Sequence, residues 1–316
     1  MSSGPPRLLP PRLPQGGVIG IVAPSSPVPP EALERGVAAL RTRGYSVRVA
    51  PHVFDRRGHL AGEDRDRAAD LEAFFSDPEI HAVWCARGGS GSLRLLSMLD
   101  WGCIREHPKP FIGYSDITSL HLGIDRECGL ATLFGPMVSS DLSKGMRSQD
   151  WDWLLRLISE PVAAGTYHDD RCDAAETLVG GRAVGRAVGG TLALLAATLG
   201  TRWAPDLHDS VLFLEDIHES PARVERFLCQ LRDSGMLEPV HGILLGGFPC
   251  TASDEERAGY LSVEQVVLDV LGPLNKPLVL GWPLGHLPSP VTLPQGIQVE
   301  LDADHRTLTV LEPAVR

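Results

Sequence analysis

Three short stretches of this chain place side chains capable of catalysis directly after apolar runs. In the first, residues 110–120, apolar residues lead into Gly113, and Ser115 stands two residues before an amphipathic run. This pattern predicts a tight strand-to-helix turn that raises the Ser115 hydroxyl above a sheet, with the free amides of a helix N-terminus behind it. Such a serine can act as a nucleophile, although Ile117 replaces the second glycine of the G-x-S-x-G pattern. A helix N-cap is the alternative interpretation.

The second stretch follows another apolar strand and clusters Glu215, Asp216, His218 and Glu219. One of its carboxylates could orient a distant histidine, which is the functional interpretation. A solvated acidic turn and a metal site are the alternatives. Because the stretch has no second histidine in a fixed motif, we expect no metal here.

The third stretch, residues 281–288, carries His286 on a loop rich in glycine and proline just past a strand. Rigid loops at strand ends commonly position catalytic side chains. A serine, a carboxylate and a histidine satisfy the requirements of a catalytic triad in any chain order. Ser115, Glu215 and His286 are therefore our candidates, with Glu219 as the competitor of Glu215.

A glycine-rich loop, Arg87-Gly88-Gly89-Ser90-Gly91, follows the predicted strand 80–85. The loop lacks the lysine and the spacing of the nucleotide-binding motifs, so phosphate binding is a poor fit. Its glycine pair also allows close backbone approach, which suits an oxyanion hole. A plain tight turn is the alternative.

Strands and helices alternate along the chain, which predicts a parallel sheet covered on both faces, with the functional loops at the carboxyl ends of the strands. We predict a disordered leader over residues 1–16, an N-terminal α/β domain over 17–162, a linker over 163–186, and a C-terminal domain over 187–316. The second domain is expected to be the more mixed of the two, because short strands end the chain.

Composition narrows the function. The chain has 316 residues and a net charge of −11, without a basic stretch, which argues against nucleic-acid binding. The first residues lack the apolar segment of a secretory signal, and no run has the length of a membrane span. The six cysteines form no C-x-x-C pair, so free and mostly buried thiols are expected. We therefore expect a cytoplasmic protein with no cofactor.

Taken together, these stretches resemble the LD-carboxypeptidase family of serine peptidases, which includes muramoyl-tetrapeptide carboxypeptidases and microcin-C-type immunity peptidases. The resemblance extends from about residue 17 to the end of the chain. It is carried by the segments GIVAPSSPV, ARGGSGSLRLL, FIGYSDIT, FGPM, GGTLALLAATLGT, LFLED and GWPLGHLPSPVTLPQG.

The resemblance implies a Rossmann-like parallel-sheet domain that carries the nucleophile and a smaller C-terminal α/β domain that carries glutamate and histidine, with the active site at the domain boundary. By position, Ser115 matches the nucleophile, His286 the general base and Glu215 the orienting carboxylate. The family's oxyanion donors map to the backbone amides of Gly88 and Asp116. A homodimer is implied by the resemblance alone.

The implied reaction removes a C-terminal D-amino acid from a peptide, and Arg87 is the nearest candidate to bind the terminal carboxylate. A surface or interdomain salt bridge is the alternative role of Arg87, and Ser90 in the same loop is the second candidate for substrate binding. Ser90, Thr191 and Ala222 depart from the family pattern, which has an aromatic residue, asparagine and tyrosine there. We expect none of these departures to touch the triad, but they leave the substrate open. Murein tetrapeptide, a peptide–nucleotide toxin, and a non-catalytic ligand-binding role are the three alternatives.

Overall fold

The structure is a computed structural model that describes residues 7–250, 259 and 261–316. These residues form two compact units. Unit 1 contains the chain through Ala164 together with Val291–Ile297 and Glu312–Arg316, and unit 2 contains Gly165–Pro290 and Gln298–Leu311.

The strands and helices are numbered here in chain order. The strands are β1 (Val18–Val22), β2 (Ser46–Val49), β3 (Ala82–Cys85), β4 (Phe111–Gly113), β5 (Thr132–Phe134), β6 (Gly165–Tyr167), β7 (Glu176–Val179), β8 (Arg182–Thr191), β9 (Ser210–Glu215), β10 (Val240–Leu245), β11 (Leu278–Leu280), β12 (Leu293–Gln295), β13 (Gln298–Asp302) and β14 (Thr307–Val310). The helices are α1 (Pro30–Thr42), α2 (Asp64–Ser76), α3 (Trp101–Glu106), α4 (Thr118–Cys128), α5 (Ser148–Ser159), α6 (Asp170–Asp173), α7 (Leu192–Thr198), α8 (Pro221–Asp233) and α9 (Val263–Leu271).

Unit 1 is built on a six-stranded sheet in the order β12-β5-β4-β3-β1-β2. The strands β1 to β5 are parallel, and β12 pairs antiparallel with β5 at the edge. Strands β3, β4 and β5 are buried along their whole length, as expected when helices cover both faces of a parallel sheet. The strand order reverses between β1 and β3, so the loops that follow these two strands flank the position where such sheets bind ligands.

Unit 2 contains an eight-stranded mixed sheet in the order β6-β14-β13-β8-β9-β10-β11-β7. Its centre, β8 to β11, is parallel, and the strands on both flanks are antiparallel. The central strand β9 is buried at every residue and ends at Glu215. A parallel-sheet domain followed by a second, smaller α/β domain is thus confirmed.

Two of the predicted boundaries are wrong. Within the predicted leader, residues 7–16 are packed against unit 1: the Leu13 side chain is 1% exposed, and Leu8 forms a parallel bridge with Leu130. Residues 1–6 lie outside the described part of the chain. The predicted linker, 163–186, instead holds β6, α6, β7 and the start of β8, because the backbones of these strands pair with β14, β11 and β13 from the last part of the chain.

The six cysteines are free, with Cys85, Cys128 and Cys172 buried and the other three half-buried. Among the described residues, we find no helix with the length and apolar character needed to cross a membrane.

Candidate active site

Ser115 lies on the tight turn between β4 and α4. Its φ angle is +63°, a left-handed conformation that residues with a side chain seldom adopt unless their surroundings hold them in it. Helix α4 begins at Thr118 with Ile117 as its N-cap residue, so Ser115 does not cap this helix. The turn is tight enough that a Cβ atom at Gly113 would lie 3.0 Å from the Ile117 side chain.

The glycine-rich loop after β3 lies directly against this serine. A Cβ atom at Gly88 would lie 2.9 Å from the Cβ atom of Ser115, 3.0 Å from its Oγ and 3.3 Å from the backbone nitrogen of Asp116. Only glycine allows this approach, because real Cβ atoms are not found this close to other atoms. The structure therefore brings Gly88, Ser115 and Asp116 together, which is the arrangement expected of a nucleophile beside its oxyanion donors.

The buried side chain of Asp116 joins three loops at the carboxyl ends of the strands. Its carboxylate accepts a hydrogen bond from the Ser25 hydroxyl at 2.6 Å and one from the Ser92 backbone amide at 2.8 Å. Its carbonyl accepts hydrogen bonds from the hydroxyls of Ser92 and Ser119. These bonds fix the loops after β1 and β3 to the turn that carries Ser115.

Arg87 and Ser90, the two substrate-binding candidates of this loop, bond to the segment that follows β1. The guanidinium of Arg87 donates one hydrogen bond to the Pro27 carbonyl at 3.0 Å. Ser90 is exposed, and its amide donates to the Ser26 hydroxyl at 3.1 Å. At Gly89, whose φ is +116°, a Cβ atom would collide with the same hydroxyl at 2.2 Å, so this loop is shaped around Ser26.

His121 bonds to the end of β4, the strand that leads into the turn carrying Ser115. Its imidazole is fully buried, with Nε2 2.8 Å from the Gly113 carbonyl and Nδ1 2.8 Å from the Thr132 hydroxyl. Burial lowers the pKa of His121 to about 4, against the opposing effect of the bond to Gly113. The ring is therefore neutral at pH 7, and Nε2 carries the proton because a carbonyl can only accept.

In unit 2, Glu215 and His286 form a hydrogen-bonded pair. The Glu215 side chain is fully buried at the end of β9, and its Oε2 lies 2.7 Å from Nδ1 of His286. The same oxygen accepts the backbone amide of His286 at 3.1 Å. A carboxylate that holds the proton on Nδ1 leaves Nε2 of the neutral ring as the basic nitrogen.

Two neighbours fix the Glu215 carboxylate. The Thr191 hydroxyl donates to Oε1 at 2.5 Å, so this departure from the family pattern touches the proposed triad, contrary to expectation. At Gly285, whose φ is +79°, a Cβ atom would lie 2.3 Å from Oε2 of Glu215, and only a glycine permits the carboxylate to lie there.

The remaining acidic residues of this stretch have other partners. Glu219 forms an ion pair with Arg223 at 2.6 Å, one turn along the chain. Asp216 accepts the amides of Ala193 and Ile217, each at 2.8 Å, and burial raises the pKa of its carboxyl to about 6. Glu215 is thus the carboxylate that meets the histidine.

The loop beyond His286 is held by a side chain that sequence reasoning missed. Arg171 donates hydrogen bonds to the carbonyls of Pro288 and Ser289. Its position is fixed by Asp169, whose carboxylate lies 2.6 Å from the guanidinium, and by the Tyr167 hydroxyl at 2.8 Å. Nothing in the spacing of these residues indicates the contact, because it joins α6 to a loop more than a hundred residues away.

Residues 214–219 do not gather three potential metal ligands in the described structure. Within the described residues, His52, Asp55 and Asp66 form the one group whose ligand atoms lie within 4.8 Å of one another. Its histidine is already paired through Nδ1 with Asp70 at 2.8 Å, and its other members are exposed or half-buried.

Sequence analysis identified Glu215 and His286, which form a hydrogen-bonded pair, but missed several side chains that position the candidate site residues. It named Asp116 only for its backbone amide, and it passed over Ser25, Ser92 and His121. The position of Asp116 directly after the candidate nucleophile is the signal that could have found its carboxylate.

Comparisons with known proteins agree with this picture. The family model described as the LD-carboxypeptidase N-terminal domain matches residues 19–135, and that of the LD-carboxypeptidase C-terminal domain matches residues 184–301. A putative carboxypeptidase of Streptomyces coelicolor is 42% identical over 312 residues, 97% of either chain. A probable murein peptide carboxypeptidase of Bacillus subtilis is 36% identical and covers 95% of this chain and 93% of its own.

Solved structures share the fold. The muramoyltetrapeptide carboxypeptidase from Oxalobacter formigenes superposes with a TM-score of 0.80 at 30% identity, covering 93% of this chain and 99% of its own. MccF in complex with glutamyl sulfamoyl guanosine superposes with a TM-score of 0.89 at 24% identity, covering 98% and 100%. Both matches span the two units described above.

Proposed function

Because the chain belongs to the LD-carboxypeptidase family and is a serine-type peptide hydrolase of that class, we propose that it cleaves murein tetrapeptide. The bond broken is the amide between the L-centre of the diamino acid and the terminal D-alanine. The catalytic part of the proposal is carried by Ser115, which has a φ of +63° on a turn packed against Gly88. Residues held in this conformation cluster at active sites.

In the proposed first step, Nε2 of His286 removes the Ser115 hydroxyl proton while Oγ attacks the carbonyl carbon next to D-alanine. Glu215 keeps Nδ1 protonated and stabilises the positive charge that forms on the ring. The proposed triad residues are divided between the units, with Ser115 in unit 1 and Glu215 and His286 in unit 2. Each unit expressed alone is therefore expected to be inactive.

The negative charge that forms on the carbonyl oxygen would be held by the backbone amides of Gly88 and Asp116. Losing one such donor typically costs about 10²–10³ in rate. The tetrahedral intermediate then collapses: His286 gives its proton to the leaving nitrogen, D-alanine departs, and an acyl ester remains on Ser115. Water, deprotonated by the same histidine, hydrolyses the ester and regenerates the serine.

Mass spectrometry of the purified protein incubated with murein tetrapeptide tests the proposal. We expect the wild type to release one alanine and leave the tripeptide, and the Ser115→Ala variant to release none. Ser76→Ala, a change of an exposed serine at the end of α2, is the matched control and should cleave at the wild-type rate. Full activity of Ser115→Ala would refute the mechanism.

A second candidate substrate is a peptide–nucleotide toxin, which would make the protein an immunity peptidase. Its support is the similarity to the Escherichia coli microcin C7 self-immunity protein, 27% identical over 329 residues, and the MccF complex with glutamyl sulfamoyl guanosine. Hydrolysis of such a conjugate, with no release of alanine from the tetrapeptide, would establish this alternative. The non-catalytic alternative has no support, since the family is enzymatic.

We further propose that the enzyme acts in cell-wall recycling, in the cytoplasm and as a homodimer. The proposed substrate supports the first point, because removal of D-alanine from murein tetrapeptide trims a fragment of the cell wall. Light scattering of the purified protein tests the dimer, and a mass of one chain would reject it. Fractionation of the producing cells tests the location.

A further inference from the structure

The acidic residue beside Glu215 contacts a helix that the mechanism above does not use. The Asp216 side chain is buried, and its Oδ2 accepts the backbone amide of Ala193 at 2.8 Å. Ala193 is the second residue of α7, and the first amides of a helix have no partner within the helix itself. Asp216 therefore caps α7 from the end of the neighbouring strand.

The residue that would ordinarily cap α7 makes a different bond. Thr191 is the N-cap residue, and a threonine there commonly accepts the amide of the second or third helical residue through its hydroxyl. In the described structure the Thr191 side chain makes no capping bond to the helix, and its hydroxyl donates to Oε1 of Glu215 at 2.5 Å. Asp216 thus makes the capping bond, while Thr191 holds the carboxylate that binds His286.

The register of the sheet in unit 2 explains why the two contacts form together. Strands β8 and β9 are parallel, and Thr191 is the direct partner of Glu215 at their carboxyl ends. The residue after Glu215 meets the start of α7, because that helix begins directly after Thr191. The backbone here has a separate support, since the Asp216 amide donates to the Gly247 carbonyl at 3.3 Å. Loss of the Asp216 carboxylate should therefore leave the end of β9 in place.

The charge of Asp216 suits this contact. Burial raises the pKa of its carboxyl to about 6, although two bonds from backbone amides favour the charged form. The group is therefore mostly ionised at pH 7, where a carboxylate also interacts favourably with the positive end of a helix dipole. Keeping this charge buried beside Glu215 costs free energy, and costs of this kind are concentrated at functional sites.

We propose that Asp216 is a positioning residue for catalysis, because its bond to Ala193 leaves the Thr191 hydroxyl directed at Glu215. Without that bond the Ala193 amide loses its acceptor, and the Thr191 hydroxyl rotates about χ1 to cap the helix. Glu215 then loses the donor to Oε1, and its carboxylate no longer holds His286 in one orientation. The inference rests on the proposed function, since it takes His286 to be the general base.

A double-mutant cycle measured on the tetrapeptide tests the connection through Thr191. We expect Asp216→Ala and Thr191→Val each to lower kcat about tenfold to a hundredfold, as found for groups that orient metal-bound side chains, with little change in KM. The double variant should fall no more than about twofold below Thr191→Val, because both changes break the same bond to Glu215. Single losses that multiply in the double variant would overturn the inference.

Asp100→Ala is the matched control. The Asp100 side chain also caps a helix, accepting the Cys103 amide of α3 at 3.2 Å, but it lies in unit 1 and has no contact with Glu215 among the bonds of the described residues. We expect this variant to lose stability and to keep the wild-type kcat. The control thus separates the general cost of a lost cap from the specific effect at Asp216.

The proton on Nδ1 of His286 reports the same contact without any substrate. A histidine ring proton that is bonded to a carboxylate resonates far downfield of the backbone amides, and its loss in His286→Gln assigns it. We expect this resonance to move upfield or to broaden in Asp216→Ala and in Thr191→Val, and to stay in place in Asp100→Ala. An unchanged resonance in Asp216→Ala would overturn the inference.

The two measurements separate this inference from the proposed function. If the wild type released no alanine, the proposed function would fail, and the Nδ1 resonance would still decide the role of Asp216. If Asp216→Ala does not fold, Asp216→Leu fills the same space without an acceptor and takes its place in both experiments. A resonance that moves in the Asp216 variants but not in Thr191→Val would reject the connection through Thr191, and with it the inference.

Discussion

Glu215 accepts two hydrogen bonds from His286, one from the ring nitrogen Nδ1 at 2.7 Å and one from the backbone amide at 3.1 Å. The two bonds fix both the ring and the loop that carries it. Glu215 is fully buried and Oε1 accepts the Thr191 hydroxyl, so both carboxylate oxygens are held by hydrogen bonds. The histidine is thereby oriented before any substrate is bound.

This geometry distinguishes Glu215 from Glu219 as the carboxylate that orients His286. We expect Glu215→Gln to lower kcat about 10³–10⁴-fold with little change in KM, because the wrong tautomer of the imidazole is then favoured. Glu219→Gln should stay within about twofold of wild type, since that carboxylate is paired with Arg223. Steady-state kinetics on the tetrapeptide measure both. A loss of activity confined to Glu219→Gln would reverse the assignment.

A substitution at Gly285 tests the position of the Glu215 carboxylate, because any added side chain would collide with it. An alanine there would place Cβ 2.3 Å from Oε2 of Glu215, at a φ of +79°. We expect Gly285→Ala to lower kcat and to reduce the free energy of unfolding by about 1–3 kcal/mol. Gly272→Ala is the matched control: its φ is −52° and no atom lies within 4 Å, so it should change little. Urea unfolding of both variants checks the difference, and equal stabilities would contradict the geometry.

The Asp116 network supports the nucleophile. Ser25→Ala removes the hydroxyl that donates to the buried carboxylate at 2.6 Å, and a lost bond to a charged group costs about 1.5–3 kcal/mol. We expect a lower free energy of unfolding together with a lower kcat, because the turn that holds Ser115 loses one of its ties. Ser76→Ala, whose exposed hydroxyl donates to the carbonyls of Glu72 and Ala73 in its own helix, serves as the control for both measurements. Wild-type kcat in Ser25→Ala would show that this tie does not position the serine.

The buried imidazole of His121 should make the free energy of unfolding depend on pH. Its pKa is lowered from 6.5 to about 4 by burial, so the unfolded chain binds a proton in this range and the folded chain does not. The stability that this group contributes is fully present above pH 6.5 and is lost as the pH falls towards 4. The loss amounts to about 3 kcal/mol, at 1.36 kcal/mol per pKa unit.

His121→Gln is the variant that isolates this contribution. Glutamine can donate to the Gly113 carbonyl and accept from Thr132 without titrating. We expect the variant to lose less stability than the wild type in urea unfolding between about pH 7 and pH 4.5. Parallel pH profiles of the two proteins would show that the buried imidazole does not titrate as proposed.

Much of this protein is readable from local pattern. The apolar runs that became β1, β3, β4 and β9 stand out because strands buried on both faces have no polar alternation. Ser115, Glu215 and His286 stand out because each lies at or just beyond the carboxyl end of a predicted strand, where parallel sheets place their functional loops. A local sequence pattern is enough to predict buried strands and the residues at their ends, because both depend on neighbouring residues in the chain.

Features that depend on contacts between residues far apart in the chain were visible only in the tertiary structure. Residues 7–16 were predicted to be a leader because they are rich in proline, yet the Leu13 side chain is buried. Residues 163–186 were predicted to be a linker because they lack hydrophobic periodicity, yet β6, β7 and β8 join a sheet with strands from distant parts of the chain. The role of Thr191 and the anchoring by His121 likewise depend on contacts across many residues. Periodicity carries no information about such contacts, because the partner is selected by packing and by the satisfaction of buried polar groups.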